Sequence, residues 1–270
     1  MAREHAGVGR SQPKGGVGKT TTAAALAGLL ADGSARTLLV DMDPHGSLTT
    51  YLGFDAEAAG PGVYELFRAR VGDAAAADDD TLIRQTAIDR LWLMPSSPAM
   101  ATLDRQLGVR AGMGLVLADA LQPLHSRFDR VVIDCPPMLG VLMINALVAC
   151  ERLIIPTQTE FLALGGLQRM LRSLAMVERS RGVPIPYRIV PTLFDSRTRA
   201  SQTCLDSLRA DYPGTISTVV VPTDTQVREA SRAGLPVASW PAARRAGEAY
   251  RALLRELLAW EQSLAQAGAA

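Results

Sequence analysis

Six short apolar runs punctuate the chain, each bounded by charged or turn-forming residues. They fall at 35–43 (ARTLLVDMD), 90–95 (RLWLMP), 128–137 (FDRVVIDCPP), 151–157 (ERLIIPT), 187–192 (YRIVPT) and 216–222 (ISTVVVP). Their apolar residues are consecutive rather than alternating, as in strands buried on both faces. Between and beyond the runs, helical patterns occupy 20–32, 112–125, 140–150, 161–180, 198–210 and 242–266. Strands alternating with helices predict an α/β fold, a mainly parallel sheet flanked by helices on both faces. A weaker first strand, HAGVGRSQP, carries two glycines and Arg10 and leads into a glycine-rich loop. No internal repeat divides the chain, and the small acidic stretch 72–80 reads as a surface loop, so residues 1–270 are expected to form a single domain. Ligands of such sheets bind beyond the carboxyl ends of the strands. The informative residues should therefore follow each run directly.

After the first strand stands KGGVGKTT, residues 14–21. Gly15, Gly16 and Gly18 let backbone amides approach phosphate oxygens, Val17 and Thr21 complete the loop, and the helix that opens at 20 adds its positive end. Lys19 offers a compact charge to the β- and γ-phosphates, and Thr20 offers a hydroxyl to Mg²⁺. Lys14 and Lys19 are the only lysines among 28 basic residues. Arginine is too long and planar for a tight phosphate ring, which accounts for Lys19. It does not account for Lys14, which the ordinary P-loop pattern does not require.

Lysine-Gly-Gly at the front of the loop resembles the deviant Walker A ATPases, and the chain is similar to the ParA branch of the ParA/MinD family along nearly its whole length. The resemblance implies the P-loop NTPase fold, with ATP and Mg²⁺ as cofactors, and a nucleotide-sandwich homodimer. In that dimer Lys14 would act in trans, on the phosphates held by the partner subunit. VDMDPHGSLTTYLG (40–53) resembles the family's switch I segment. It implies Asp41 as the catalytic aspartate that orients the attacking water, with Asp43 structural or in the metal shell. His45 and Ser47 stand where glutamine and asparagine are usual. VVIDCPPMLG (131–140) resembles the Walker B and switch II segment, and implies that Asp134 holds Mg²⁺. The segments 193–198, 221–230 and 245–250 match later parts of the family, and Pro222 and Asp224 fall in its adenine-binding loop.

Charge adds one feature. Residues 179–255 hold twelve arginines against six acids. Such a surface is either simply solvated or the footprint of a polyanion. The resemblance favours the second, because arginines on the ParA dimer bind DNA without sequence preference. Arg197 in DSRT falls on one such position, and Arg199, Arg228 and Arg232 are local candidates. The expected function is then an ATP-dependent dimer switch that segregates or positions DNA cargo with a ParB-like or other activating partner.

Other readings lead elsewhere. ParA-like ATPases also position chemotaxis arrays and other protein assemblies, and nothing in DPHGSLT separates the two cargoes. A MinD-like membrane ATPase should end in a lysine-rich amphipathic helix, and the last dozen residues here hold no base. A reductase resembling the nitrogenase iron protein would need two suitably placed cluster cysteines, whereas Cys135, Cys150 and Cys204 lack metal-ligand spacing. No apolar run suits a bilayer or a secretion signal, and no helix-turn-helix extension precedes the P-loop, so the expectation is a cytoplasmic, nucleoid-associated protein without operator recognition or membrane binding.

Overall fold

A computed structural model describes residues 16–58, 60–72, 78–107 and 112–268. The expected first strand, Lys14 and Gly15 lie outside them. Strand β1 (Thr37–Asp41) is buried at every position. It pairs in parallel with β3 (Leu91–Met94) on one side and β4 (Arg130–Asp134) on the other. The short β2 (Arg84–Gln85) adds an antiparallel edge, giving the order β2-β3-β1-β4. A second sheet pairs β5 (Leu153–Gln158) with β6 (Tyr187–Thr192) in parallel.

The two faces of β1 explain why its run is uninterrupted, since successive side chains point to opposite sides and both sides are covered. Leu38, Val40 and Met42 pack with Val63 and Phe67 of α3 (Val63–Val71) and with Met100, Leu103 and Leu107 of α5 (Met100–Leu107). On the other side Leu39 meets Ala23, Ala24, Ala27 and Ala31 of α1 (Lys19–Asp32). The alanines keep α1 close to the sheet, and Gly28 carries this further, since a Cβ there would lie 2.5 Å from Pro236 Cγ. The long C-terminal helix α11 (Arg244–Gly268) packs Ala246, Tyr250 and Leu253 beside α1, and the Tyr250 hydroxyl lies 3.1 Å from Thr22 Oγ1.

Two expected elements differ. The run 216–222 forms no strand, only isolated parallel bridges, Ile189 with Ile216 and Phe194 with Pro222. Its neighbour β6 contains Pro191, which has no N–H to donate, and the pairing slips there. Ser217 donates to the Ile189 carbonyl, yet the next bond to β6 runs from Val221 to the Pro191 carbonyl. The expected helix 112–125 is broken into a 3-10 turn (Met113–Leu115), α6 (Val116–Leu121) and a second 3-10 turn (Pro123–Ser126). Pro123 cannot donate into the preceding turn, which accounts for the second break. Short helices that the apolar runs did not announce include α2 (Ser47–Tyr51), α4 (Asp79–Leu82) and α10 (Gln226–Arg232).

Candidate functional site

The site forms where the strands end. Gly16 and Gly18 have φ of 147° and 87°, backbone that a side chain resists, and the loop they shape delivers Lys19 and Thr20 to the first turn of α1. The loop is tied from the side: Thr192, at the end of β6, donates its hydroxyl to the Val17 carbonyl at 2.8 Å. Both sheets therefore direct their carboxyl ends toward the P-loop.

Register then brings the acids together. Asp41 and Asp134 are direct partners across the β1–β4 ladder. Both are buried, at 0% and 3% exposure. Thr20 Oγ1 donates to Asp134 Oδ2 at 2.7 Å, joining the P-loop helix to the end of β4. Burial pushes Asp41 up to about 7, the facing Asp134 adds to the rise, and hydrogen bonds from Thr49 and Asp43 oppose it. Burial likewise raises Asp134 to about 6, against the Thr20 hydrogen bond and the charge of Lys19. Two buried carboxylates this close favour a cation between or beside them.

Asp43 faces the same region. Its Oδ1 accepts from the His45 backbone at 3.0 Å and lies 2.8 Å from His45 Nδ1. The imidazole, where glutamine is usual, remains largely in solvent. The oxygen set of Thr20, Asp134 and Asp43 suits a hard divalent cation. No cluster of three or more His, Cys, Asp or Glu that could hold a metal occurs among the described residues. A cation here would need phosphate oxygens and water to complete its shell, which fits Mg²⁺ bound together with a nucleotide.

The base-side residues are placed differently. Pro222 bridges to Phe194 at the edge of β6. Asp224 spends its side chain on structure: Oδ1 accepts from Gln226 N at 3.0 Å, capping α10, and Oδ2 accepts from Ala246 N at 3.3 Å, fixing α11. The arginines lie on α9 (Arg199–Asp211), on α10 and in the loop after β6. Arg197 Nε and Nη2 grip Asp195 at 2.9 and 2.8 Å. Arg232 pairs with Glu229 at 3.3 Å. Arg199 and Arg228 are exposed. A buried relay connects this surface to the P-loop. Thr192 O accepts from Thr159 N at 3.1 Å, Thr159 Oγ1 lies 2.5 Å from Ser201 Oγ, and Ser201 Oγ accepts from Asp195 N at 3.2 Å. The relay is not visible in the sequence, because threonine and serine at strand and helix ends are common.

Residues 8–183 match the family model described as AAA domain. The chain is 34% identical over 249 residues to the chromosome partitioning protein ParA of Myxococcus xanthus, covering 92% of this chain and 86% of that one. It is 32% identical over 247 residues to the sporulation initiation inhibitor protein Soj of Bacillus subtilis, covering 91% and 95%. The chain belongs to the ParA branch of the ParA/MinD family. A solved structure described as cobyrinic acid a,c-diamide synthase from Mycobacterium smegmatis, with bound ADP and magnesium, superposes with a TM-score of 0.74 at 33% identity, covering 92% of this chain and 93% of that one. The ParA-type P-loop ATPase fold accounts for the convergence of Lys19, Thr20, Asp41 and Asp134 at one end of the sheet. No helix among the described residues is long and apolar enough to cross a membrane.

Proposed function

We propose that this ParA-type chain, acting as one P-loop ATPase domain over 1–270, hydrolyses ATP and uses it to switch a homodimer that binds DNA without sequence preference. With a ParB-like or other activating partner, the switch segregates or positions a DNA cargo on the nucleoid. The observation that carries the nucleotide reading is the 2.7 Å bond from Thr20 to Asp134, with Asp41 in register beside it.

Each residue has a definite task. Gly16, Val17 and Gly18 present backbone to the phosphates, and Lys19 neutralises the β- and γ-oxygens. Thr20, Asp134 and Asp43 would hold Mg²⁺, directly or through water, where it would supply charge neutralisation to the β- and γ-phosphates. Asp41 accepts a hydrogen bond from the attacking water and fixes its line of approach. Pro222 borders the adenine, and Asp224, whose side chain is engaged, contributes by holding that loop. Lys14 reaches the nucleotide of the second subunit. Exposed apolar side chains at the same end of the sheets, Met138 and Leu139 after β4 and Phe161 and Leu162 after β5, suit a surface that a second subunit covers. Arg197, Arg199, Arg228 and Arg232 supply the DNA contacts.

The lysines separate the parts of this reading. Lys19→Ala should abolish ATP binding. Lys14→Ala should bind ATP almost as wild type yet remain monomeric with it, because its target lies in the other subunit. Size-exclusion chromatography with ATP, alongside a nucleotide-binding titration, decides both. A Lys14→Ala protein that dimerises with ATP rules out action in trans, and a Lys19→Ala protein that binds ATP normally rules out the site itself.

A further inference from the structure

Among the described residues, Ser34, Arg90 and Leu193 have positive φ without being glycine. Ser34 and Arg90 precede β1 and β3, at the end of the sheet away from the site. Leu193, with φ 51°, follows β6 directly, at the site end. A side chain resists this backbone, whereas glycine adopts it freely. In a bulky residue the conformation persists only where its neighbours impose it, and such residues cluster at switch regions.

The neighbours of Leu193 are held on both sides. Before it, Thr192 donates its hydroxyl to the Val17 carbonyl of the P-loop at 2.8 Å, and its own carbonyl accepts from Thr159 N at 3.1 Å. After it, Phe194 N donates to the Val221 carbonyl at 3.1 Å, and the Phe194 carbonyl accepts from Thr223 N at 2.9 Å. Val221 and Thr223 flank Pro222, proposed above to border the adenine. The phosphate side and the base side of the site are thus fastened to the two neighbours of one strained residue. The chain then reaches Asp195, whose N–H donates to the buried Ser201 Oγ at 3.2 Å and whose carboxylate accepts from Arg197 at 2.9 and 2.8 Å.

We propose that Leu193 is a strained pivot through which ATP resets the Arg197 loop within each subunit. This rests on the proposed nucleotide and DNA sites. ATP seated between the P-loop and the 221–223 segment moves the two neighbours of Leu193 relative to each other. The left-handed backbone then relaxes, and the loop at 194–198 turns with it into its DNA-binding position. Left-handed and right-handed backbone are separate wells, so the pivot has two positions rather than a continuous range. An L residue favours the relaxed well by roughly 5- to 30-fold, and this bias works in favour of the ATP-bound position. ATP therefore does two things for DNA binding: it pairs the subunits, and it sets the arginine loop in each.

The test compares Leu193→Gly, Leu193→Asn and Leu193→Ala in the full chain with Mg²⁺. Affinity for a non-hydrolysable ATP analogue, dimerisation with the analogue, and duplex affinity with the analogue and with ADP are measured at low salt, where weak DNA binding is readable. Glycine rests in the left-handed well without strain, so it removes the bias toward the ATP-bound position. The loss falls on analogue affinity, on DNA affinity with the analogue, or on both, and their product should drop roughly 5- to 30-fold. DNA affinity with ADP should stay within about twofold of wild type, and the dimer should still form at saturating analogue. Leu193→Asn, which tolerates left-handed backbone, should follow glycine by a smaller factor. Leu193→Ala loses the side chain but keeps the strain, so its product should stay within about threefold of wild type. A wild-type product in Leu193→Gly overturns the inference. So does an equal loss in Leu193→Ala, which points to packing, an equal loss with ADP, which points to a disrupted loop, or a monomeric Leu193→Gly protein, which points to the dimer interface. If Leu193→Gly does not fold, equal products in the asparagine and alanine variants overturn it. A wild-type chain with the same weak DNA affinity in both nucleotide states removes the DNA reading, and this inference with it.

Discussion

The strand-end site and the arginine surface handle charge in opposite ways. At the site, two acids are buried side by side, opposed among the described residues by Lys19 and by hydrogen-bond donors, and both are pushed upward. On the surface, Arg197 is solvent-exposed and already gripped by Asp195, whose carboxyl it holds at about 2. On the proposed function, a cation and a nucleotide would relieve the first arrangement, whereas a DNA phosphate would have to displace Asp195 to use Arg197 in the second. Exposed ion pairs of this kind contribute little, so the displacement costs little too. The comparison predicts steep consequences at the site and graded ones on the surface.

The largest expected effect is at Asp41. Asp41→Ala removes the carboxylate proposed to orient the attacking water and no proposed phosphate contact, so turnover should fall by about 10²-fold or more while ATP binding persists and the dimer accumulates. Steady-state hydrolysis and ATP-dependent dimerisation by light scattering measure the two sides. Wild-type turnover would move the step to Asp43 or His45.

A smaller effect is expected on the surface. Arg197→Glu should weaken binding to any duplex to a similar degree and flatten the dependence of log affinity on log salt by about one or two units. Asp195→Asn should do the reverse by a modest factor, since it releases Arg197 without adding charge to the protein's contacts. ATP binding should be unaffected by either. A selective loss on one sequence would mean that Arg197 reads bases instead.

The smallest effect concerns stability. Acids raised in the folded state hold protons that the unfolded chain releases above about pH 4. Asp41 and Asp134 therefore cost the nucleotide-free protein stability progressively as pH rises from about 4 to about 7, with no further change above. Asp41→Asn should flatten that dependence relative to wild type, by denaturant unfolding at pH 5.5 and 7.5. Identical slopes would mean that the pair is not strained by burial.

The strand framework was legible because a run such as TLLV is buried on both faces and announces itself without periodicity. Part of the candidate site was legible for a related reason: Asp41 and Asp134 end two of these runs, and parallel register makes them direct partners. What escaped was local. Pro191 breaks a ladder that the apolar run at 216–222 invites. The short helix α2 has too few residues to show a period, yet it carries Thr49, which makes the shortest contacts to Asp41. Asp224 read as part of the base site, whereas its side chain caps α10 and ties α11. Lys14 and the first strand lie outside the described residues.

On the proposed function, ATP at the strand-end site controls DNA binding at the arginine surface. The direct measurement is duplex affinity of the wild-type chain with a non-hydrolysable ATP analogue and with ADP, on two unrelated sequences at several salt concentrations. The expected result is tight binding with the analogue only, equal on both sequences, with log affinity falling linearly with log salt by about 0.9 per phosphate neutralised. Equal, weak affinity in both nucleotide states would contradict it and leave the arginine surface as a solvated face.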